Sequence, residues 1–232
     1  MKTIGLVGGT SWTSTLIYYR VLNELVQARL GGSHSARIAM WSVDFAEHLE
    51  IHERGGWKGV EEEMTGILGR LKSAGADMAL LCANTLHMVY DAVEGKAGIP
   101  LLHIADATGA AIKSAGIGRI GLIGTRHTMG EDFYRVRLRD KYGIETIVPK
   151  GEDFRAIDDI IFRELVMDRY EEPARRRCLG IIDRLVAEGA QGIVLGCTEL
   201  PKLVSGAKIA VPVFDTLQLH AEAAVGEALR EG

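Results

Sequence analysis

The chain has 232 residues, of which 47% are hydrophobic and 25% charged, and its formal net charge is −4. This length is enough for one large or two small domains with a substantial core. No basic stripe stands out and the longest apolar runs are strand-length, which argues against a nucleic-acid partner and against a membrane span. The first apolar run is too short, and too soon followed by glycines, for a signal peptide. We therefore expect a cytoplasmic enzyme or a small-molecule binding protein.

The three cysteines and seven histidines are not spaced like metal ligands. No CxxC pair occurs, which argues against a disulfide framework and against a cysteine zinc cluster. The histidines are scattered, without an HxH or HExxH spacing, and the glycine loops lack the GxGxxG and GxxxxGK[ST] patterns of nucleotide sites. We expect neither a metal nor a cofactor.

Strand-like and helix-like segments alternate along the chain. We predict strands over residues 3–7, 36–43, 77–82, 100–104, 119–123, 144–148, 192–196 and 209–213. Apolar residues at helical spacing predict helices over 14–30, 58–74 and 176–188. This alternation is typical of an α/β fold with mostly parallel sheets flanked by helices, in which ligands bind beyond the carboxyl ends of the strands.

Two signals recur along the chain at nearly the same spacing. Residues 4–10 (IGLVGGT) and 120–125 (IGLIGT) are both apolar runs that end in glycine and threonine. Cys82, in LLCANTLH, and Cys197, in IVLGCTEL, both end apolar runs and are soon followed by threonine. Because glycine loops and cysteine loops recur together, we predict two pseudo-symmetric α/β domains.

The predicted domains are residues 1–100 plus 210–232, which carry Cys82, and residues 101–209, which carry Cys197. If their loop ends face one another across an interdomain cleft, the two thiols would flank one carbon of a bound molecule. One thiolate could then remove a proton while the opposite thiol delivers one, which is racemisation by general acid–base catalysis. The helix starts that follow each cysteine are expected to lower the pKa of the thiols and to offer N–H groups to a carboxylate. The third cysteine, Cys178, lies on an apolar helical face and is predicted to be core.

Six motifs, GLVGGTSWTST, LLCANTLH, HIADAT, GLIGTRHTM, GIVLGCTEL and PVFDT, resemble the cofactor-independent aspartate/glutamate racemase family, and most closely its broad-specificity amino-acid racemases. The resemblance implies two α/β domains and a two-base mechanism without metal or pyridoxal phosphate. It implies that Cys82 acts on the D-enantiomer and Cys197 on the L-enantiomer. The expected partner is a free amino acid, and we also expect a homodimer. The candidate substrate contacts are Gly9, Thr10, Ser11, His52, Asn84, Thr85, Thr125, Arg163, Thr198 and Glu199.

The sequence departs from the aspartate-specific relatives at the positions that hold the side-chain carboxylate. Those relatives resemble one another in an arginine after the second strand and a lysine in the second half. Residues 43–48 contain no arginine here, and residues 160–164 offer Arg163 but no lysine. We therefore expect neutral side chains to be accepted at least as well as aspartate. His52 lies in a glycine-rich, charged stretch (52–57) that we interpret as a loop, either closing over the cleft or simply solvated.

Two other classes of function stay open at this stage. A hydantoin racemase, a maleate cis–trans isomerase or a decarboxylase could use the same scaffold, although decarboxylase relatives keep one cysteine of the pair. A non-catalytic binding protein is the third possibility, but two thiols at equivalent positions have no evident use in a binder.

Overall fold

The computed structural model describes residues 1–230, and the chain folds into two compact units. The first unit comprises Met1–Ile104 and the C-terminal segment that begins at His220, and the second comprises Ala105–Leu219. Each unit contains its own sheet and its own hydrophobic core.

The first unit is built on a four-stranded parallel sheet. Its strands are β1 (Ile4–Gly8), β2 (Ile38–Ser42), β3 (Met78–Leu81) and β4 (Leu101–Leu102), in the order β2-β1-β3-β4. The helical segments are α1 (Trp12–Leu30), α2 (Phe45–Ser73), the 3-10 turn Thr85–Val89 and α3 (Tyr90–Ala97). Every residue of β1 and β3 is buried, as expected for parallel strands covered on both faces.

The second unit repeats this arrangement. Its parallel strands are β5 (Arg119–Gly124), β6 (Glu145–Ile147), β7 (Ile193–Gly196) and β8 (Val213–Asp215), in the order β6-β5-β7-β8. The helical segments are α4 (Ile104–Ser114), α5 (Arg126–Gly130), α6 (Asp132–Tyr142), α7 (Gly151–Arg163), the 3-10 turn Leu165–Met167, α8 (Glu172–Ala187), α9 (Leu200–Leu203) and α10 (Thr216–Ala228). The chain passes from one unit to the other within α4 and again within α10. The identical strand order confirms the predicted α/β architecture and its repeat.

The apolar faces predicted from helical spacing form the cores. In the first unit Met64, Leu68 and Leu71 of α2 are buried in one cluster with Val7 and Leu81. In the second unit the corresponding cluster contains Cys178 and its neighbours on α8, together with residues of β5 and β7. Cys178 is therefore a core residue, as predicted.

The last strand begins later than expected. The predicted strand covered residues 209–213, whereas β8 starts at Val213. Pro212 has no N–H to donate, and its carbonyl accepts a hydrogen bond from Ile193 N–H of β7 before the ladder begins. Because β8 pairs with β7, residues 210–219 belong to the second unit, whereas the predicted domain boundary assigns them to the first.

The stretch interpreted as a loop around His52 is helical. Residues 52–57 lie inside α2, which is broken at Gly56, with φ 58° and ψ −153°. Two contacts across the break explain why no open loop forms. His48 Nδ1 lies 2.7 Å from Glu63 Oε2, and a Cβ added at Gly59 would lie 3.0 Å from the carbonyl oxygen of Ile51. The two segments of α2 are therefore packed against each other.

Within residues 1–230, no helix has both the length and the apolar character needed to cross a membrane.

Candidate active site

In the first unit, the loop after β1 is shaped by close backbone contacts. Gly9 has φ +98°, and a Cβ at this position would lie 2.2 Å from the carbonyl oxygen of Val43. Its N–H donates to Thr15 Oγ1 at 3.0 Å. Ser11 is the N-cap of α1, with its side chain accepting from Ser14 N–H. The half-buried Thr10 lies between these fixed points, so the loop presents hydroxyls and backbone at the carboxyl end of the sheet.

Cys82 follows β3 at the same end of this sheet. Its N–H continues the parallel ladder by donating to the carbonyl of Val7 at 2.9 Å, and the residue is 2% exposed. Asn84, also buried, occupies the N-cap position of the 3-10 turn that Thr85 begins, without a capping hydrogen bond from its side chain. The first unit therefore brings together Cys82, Asn84 and Thr85 in one short segment.

In the second unit, Thr125 follows β5 as the N-cap of α5. Its Oγ1 accepts from Thr128 N–H at 3.2 Å, and both threonines are buried. Gly124 and Gly196 end the neighbouring strands β5 and β7, and a Cβ at Gly124 would lie 2.8 Å from the carbonyl oxygen of Gly196. This close approach sets Thr125 beside the loop that carries Cys197.

Cys197 follows β7 and is hydrogen-bonded to a buried carboxylate. Its thiol donates to Glu199 Oε2 at 3.0 Å, and the Thr198 hydroxyl donates to the same oxygen at 2.8 Å. Cys197, Thr198 and Glu199 are 7%, 7% and 3% exposed. A thiol, a hydroxyl and a carboxylate thus form one hydrogen-bonded group at the end of the strand.

The pKa of both thiols is raised, contrary to the expectation from the helix starts. Burial raises the pKa of Cys82, since a thiolate loses its hydration there. Burial also raises the pKa of Cys197, and the negative charge of Glu199 and its hydrogen bond raise it further. The N–H groups of Glu199 and Leu200 act in the opposite direction but more weakly. Desolvation therefore outweighs the helix starts at both cysteines.

Comparison with known protein families identifies the family of this chain. A model of the family described as Asp/Glu/hydantoin racemase matches residues 7–224, nearly the whole chain. The chain belongs to the Asp/Glu/hydantoin racemase family.

Solved structures of similar proteins agree with this membership. A Yersinia pestis protein, solved under the provisional name Asp/Glu racemase, is 47% identical, with a TM-score of 0.93 over 99% of this chain and 100% of that one. An aspartate racemase homologue from Pyrococcus horikoshii is 32% identical, with a TM-score of 0.86 over 99% of this chain and 100% of that one.

Curated relatives match over a shorter stretch. Glutamate racemase of Streptococcus sanguinis is 30% identical over 135 residues, which is 54% of this chain and 46% of that protein. The chain spans about half the length of the curated relatives it matches.

Two of the candidate substrate contacts in this racemase-family chain, His52 and Arg163, already interact with side chains of their own helices. The ring of His52 packs edge-on against Trp57 in α2, with centroids 4.7 Å apart. Arg163, near the end of α7, is 79% exposed and pairs with Asp159 at 2.9 Å. The guanidinium is therefore already matched by a carboxylate one helical turn away.

Sequence reasoning missed several residues around the two cysteines. Thr15 holds the glycine loop through its hydrogen bond from Gly9 N–H. Burial raises the pKa of Tyr170, and the nearby Glu199, Asp168 and Cys197 raise it further, which places this tyrosine beside the Cys197 group. Their signal in the sequence is weak, because single threonines and tyrosines occur throughout the chain. Among residues 1–230, no group of three or more His, Cys, Asp or Glu side chains is arranged to hold a metal ion.

Proposed function

We propose that the protein racemises free amino acids at the α-carbon without pyridoxal phosphate or metal, using Cys82 and Cys197 as the two bases. One observation carries the proposal. The two cysteines directly follow equivalent strands, β3 and β7, in two sheets of the same strand order. Family membership makes amino-acid racemisation the natural reaction for such a pair.

The protonation states required by the reaction follow from the environments of the thiols. In the D-to-L direction the Cys82 thiolate takes the α-proton, and the resulting carbanion takes a proton from the Cys197 thiol. The enzyme is left with a Cys82 thiol and a Cys197 thiolate, which is the starting state for the L-to-D direction. Glu199 opposes a thiolate at Cys197, so its charge disfavours the state from which the L-to-D direction starts.

The substrate carboxylate needs hydrogen-bond donors near both thiols. We propose that Asn84 and Thr85 in the first unit and Thr125 in the second supply them together with backbone N–H groups. Thr198 joins them when its hydroxyl turns from Glu199 to the substrate. Such donors would also stabilise the charge that builds up on the carboxylate as the α-carbon is deprotonated.

Neutral side chains are the expected substrates. An acidic side chain would need its own cation, and the candidate Arg163 is paired with Asp159 on an exposed helix surface. We therefore propose that neutral amino acids are turned over at least as well as aspartate or glutamate.

The test is racemisation in deuterated water by protein freed of metals with a chelator and of pyridoxal phosphate with hydroxylamine. A two-base enzyme should give product that carries deuterium while the unreacted substrate initially keeps its protium. A panel of neutral and acidic amino acids, analysed by chiral separation and mass spectrometry, gives the substrate range. Loss of activity that only added metal restores would refute the proposal, and turnover of aspartate alone would refute its substrate range.

A further inference from the structure

Three histidines that are distant in the sequence form a buried cluster in the first unit. His87, His103 and His220 are 1%, 4% and 0% exposed. The ring centroid of His87 lies 4.6 Å from that of His103 and 5.7 Å from that of His220. The cluster lies directly behind the Cys82 segment, because His87 belongs to the 3-10 turn Thr85–Val89.

The hydrogen bonds of His87 determine its tautomer. Its Nε2 accepts from the backbone N–H of Ile104 at 3.1 Å, and a backbone N–H can only donate. The ring proton must therefore be on Nδ1, which lies 3.0 Å from the carbonyl oxygen of Ala83 and donates to it. His87 is thus a neutral imidazole that joins the residue next to Cys82 to the last residue of the first unit before the chain crosses over.

Residues 101–104, the segment whose Ile104 N–H donates this bond, are held by two further side chains. His220 Nε2 donates to the carbonyl of Leu102 at 3.0 Å, and its Nδ1 lies 2.9 Å from the Tyr18 hydroxyl. The pKa of His220 is lowered to about 3, mainly by burial, so this ring is neutral as well. The Tyr90 hydroxyl lies 3.0 Å from the carbonyl oxygen of Leu101.

The consequence for Cys82 is that it is fixed on both sides. Its own N–H is bound in the ladder to Val7, and the carbonyl of the next residue, Ala83, is bound by His87. The 3-10 turn also makes its own backbone bond, from His87 N–H to the carbonyl of Asn84 at 3.1 Å. The histidine ring therefore ties the backbone next to Cys82 to residue 104.

We propose that His87 is a positioning residue for Cys82, which sets the thiol for proton transfer by bonding the Ala83 carbonyl to the Ile104 N–H. This inference rests on the proposed racemase function and adds a residue to it. Proton transfer is sensitive to small displacements, so release of the Ala83 carbonyl should slow the step at Cys82 and leave the step at Cys197 unchanged.

A racemase offers a direct way to separate the two steps. Because the equilibrium constant between enantiomers is one, kcat/KM must be equal in the two directions, and rates alone cannot show which thiol is impaired. Primary deuterium isotope effects on kcat/KM can show it. With α-deuterated D-substrate the labelled bond is broken by Cys82, and with α-deuterated L-substrate it is broken by Cys197.

The variant that removes both hydrogen bonds but keeps a ring is His87→Phe. We expect kcat/KM to fall by about tenfold or more, the isotope effect with D-substrate to rise, and that with L-substrate to fall. His87→Asn keeps an amide donor near the Nδ1 position and should restore much of the rate. His34→Asn, an exposed histidine in the same unit, is the matched control and should change neither isotope effect.

The outcomes are distinguishable. Equal changes of both isotope effects in His87→Phe, or no change in either, would overturn the positioning role while leaving the racemase intact. An Asn variant no better than Phe, with a native circular dichroism spectrum, would also overturn it. Absence of α-proton exchange in the wild-type protein would instead refute the proposed function, and this inference with it.

Discussion

The two thiols differ in their electrostatic surroundings. Cys197 donates to the buried Glu199 carboxylate, whereas the pKa of Cys82 is raised by burial alone. In a two-base racemase both thiols share one proton in the active form, so activity should follow a bell-shaped pH profile whose two limbs belong to the pair.

Replacement of Glu199 by Gln should move this profile to lower pH. Glu199 raises the pKa of Cys197, so removal of its charge lowers that pKa, and both the gain and the loss of the active form occur at lower pH. The measurement is kcat/KM against pH for Glu199→Gln, with Glu188→Gln as the exposed control from the same unit. A profile shifted to higher pH, or one unchanged, would contradict this electrostatic role.

The three cysteines should separate into two classes on substitution. Cys82→Ala and Cys197→Ala should each abolish net racemisation, while the remaining thiol can still exchange the α-proton of one enantiomer. Cys178→Ala should keep near wild-type turnover, because this residue lies in the core. It should lose about 1 kcal/mol of stability, because it removes a buried thiol from that core. Chiral assays and urea unfolding test both statements. Near wild-type racemisation by Cys82→Ala would exclude the assignment of the bases.

At the scale of elements, the site depends on close contacts between strand ends and helix starts. Gly8 ends β1 against Thr15 of α1, and a Cβ there would lie 2.4 Å from Thr15 Cγ2. Thr15 in turn accepts from Gly9 N–H, so one threonine holds the first loop by both packing and hydrogen bonding.

Gly8→Ala should therefore destabilise the protein and displace the loop. We expect a loss of about 1–3 kcal/mol from overpacking, with a higher KM because the loop presents candidate substrate contacts. The matched control is Gly66→Ala in α2, where a Cβ meets nothing within 4 Å and the position is exposed. That change should stabilise by about 0.5–1 kcal/mol through helix propensity. Equal effects of the two substitutions on unfolding would show that the Thr15 contact is unimportant.

At the scale of the whole molecule, an apolar stripe on α1 supports the expected homodimer. Trp12, Leu16 and Tyr19 recur at i, i+4 and i+7 and are 62%, 57% and 50% exposed. Large apolar side chains gathered on one exposed face are typical of interaction surfaces.

Sedimentation equilibrium should therefore give about twice the chain mass of 25.2 kDa. Leu16→Lys should weaken association by about tenfold or more, because it places a charge in the stripe. Met167→Lys in the second unit, where the methionine is 64% exposed, should leave the mass unchanged. A wild-type protein that sediments as a monomer would rule out this role for the stripe.

The sequence by itself determined the architecture and the position of the two thiols. Apolar periodicity is a local property, and the alternation of strands and helices implies parallel sheets whose loops gather at one edge. The recurrence of Cys82 and Cys197 after equivalent strands could therefore be read directly from the sequence.

Only the tertiary structure decided the contacts between residues far apart in the chain. His87 meets Ile104 and His220 through packing of separate elements, so no spacing along the chain could reveal that cluster. The folded-back start of α2 likewise depends on the pair between His48 and Glu63. The tertiary structure also raises the pKa of the two thiols. Desolvation depends on all the groups that surround a thiol, and here it outweighs the effect of the local helix starts.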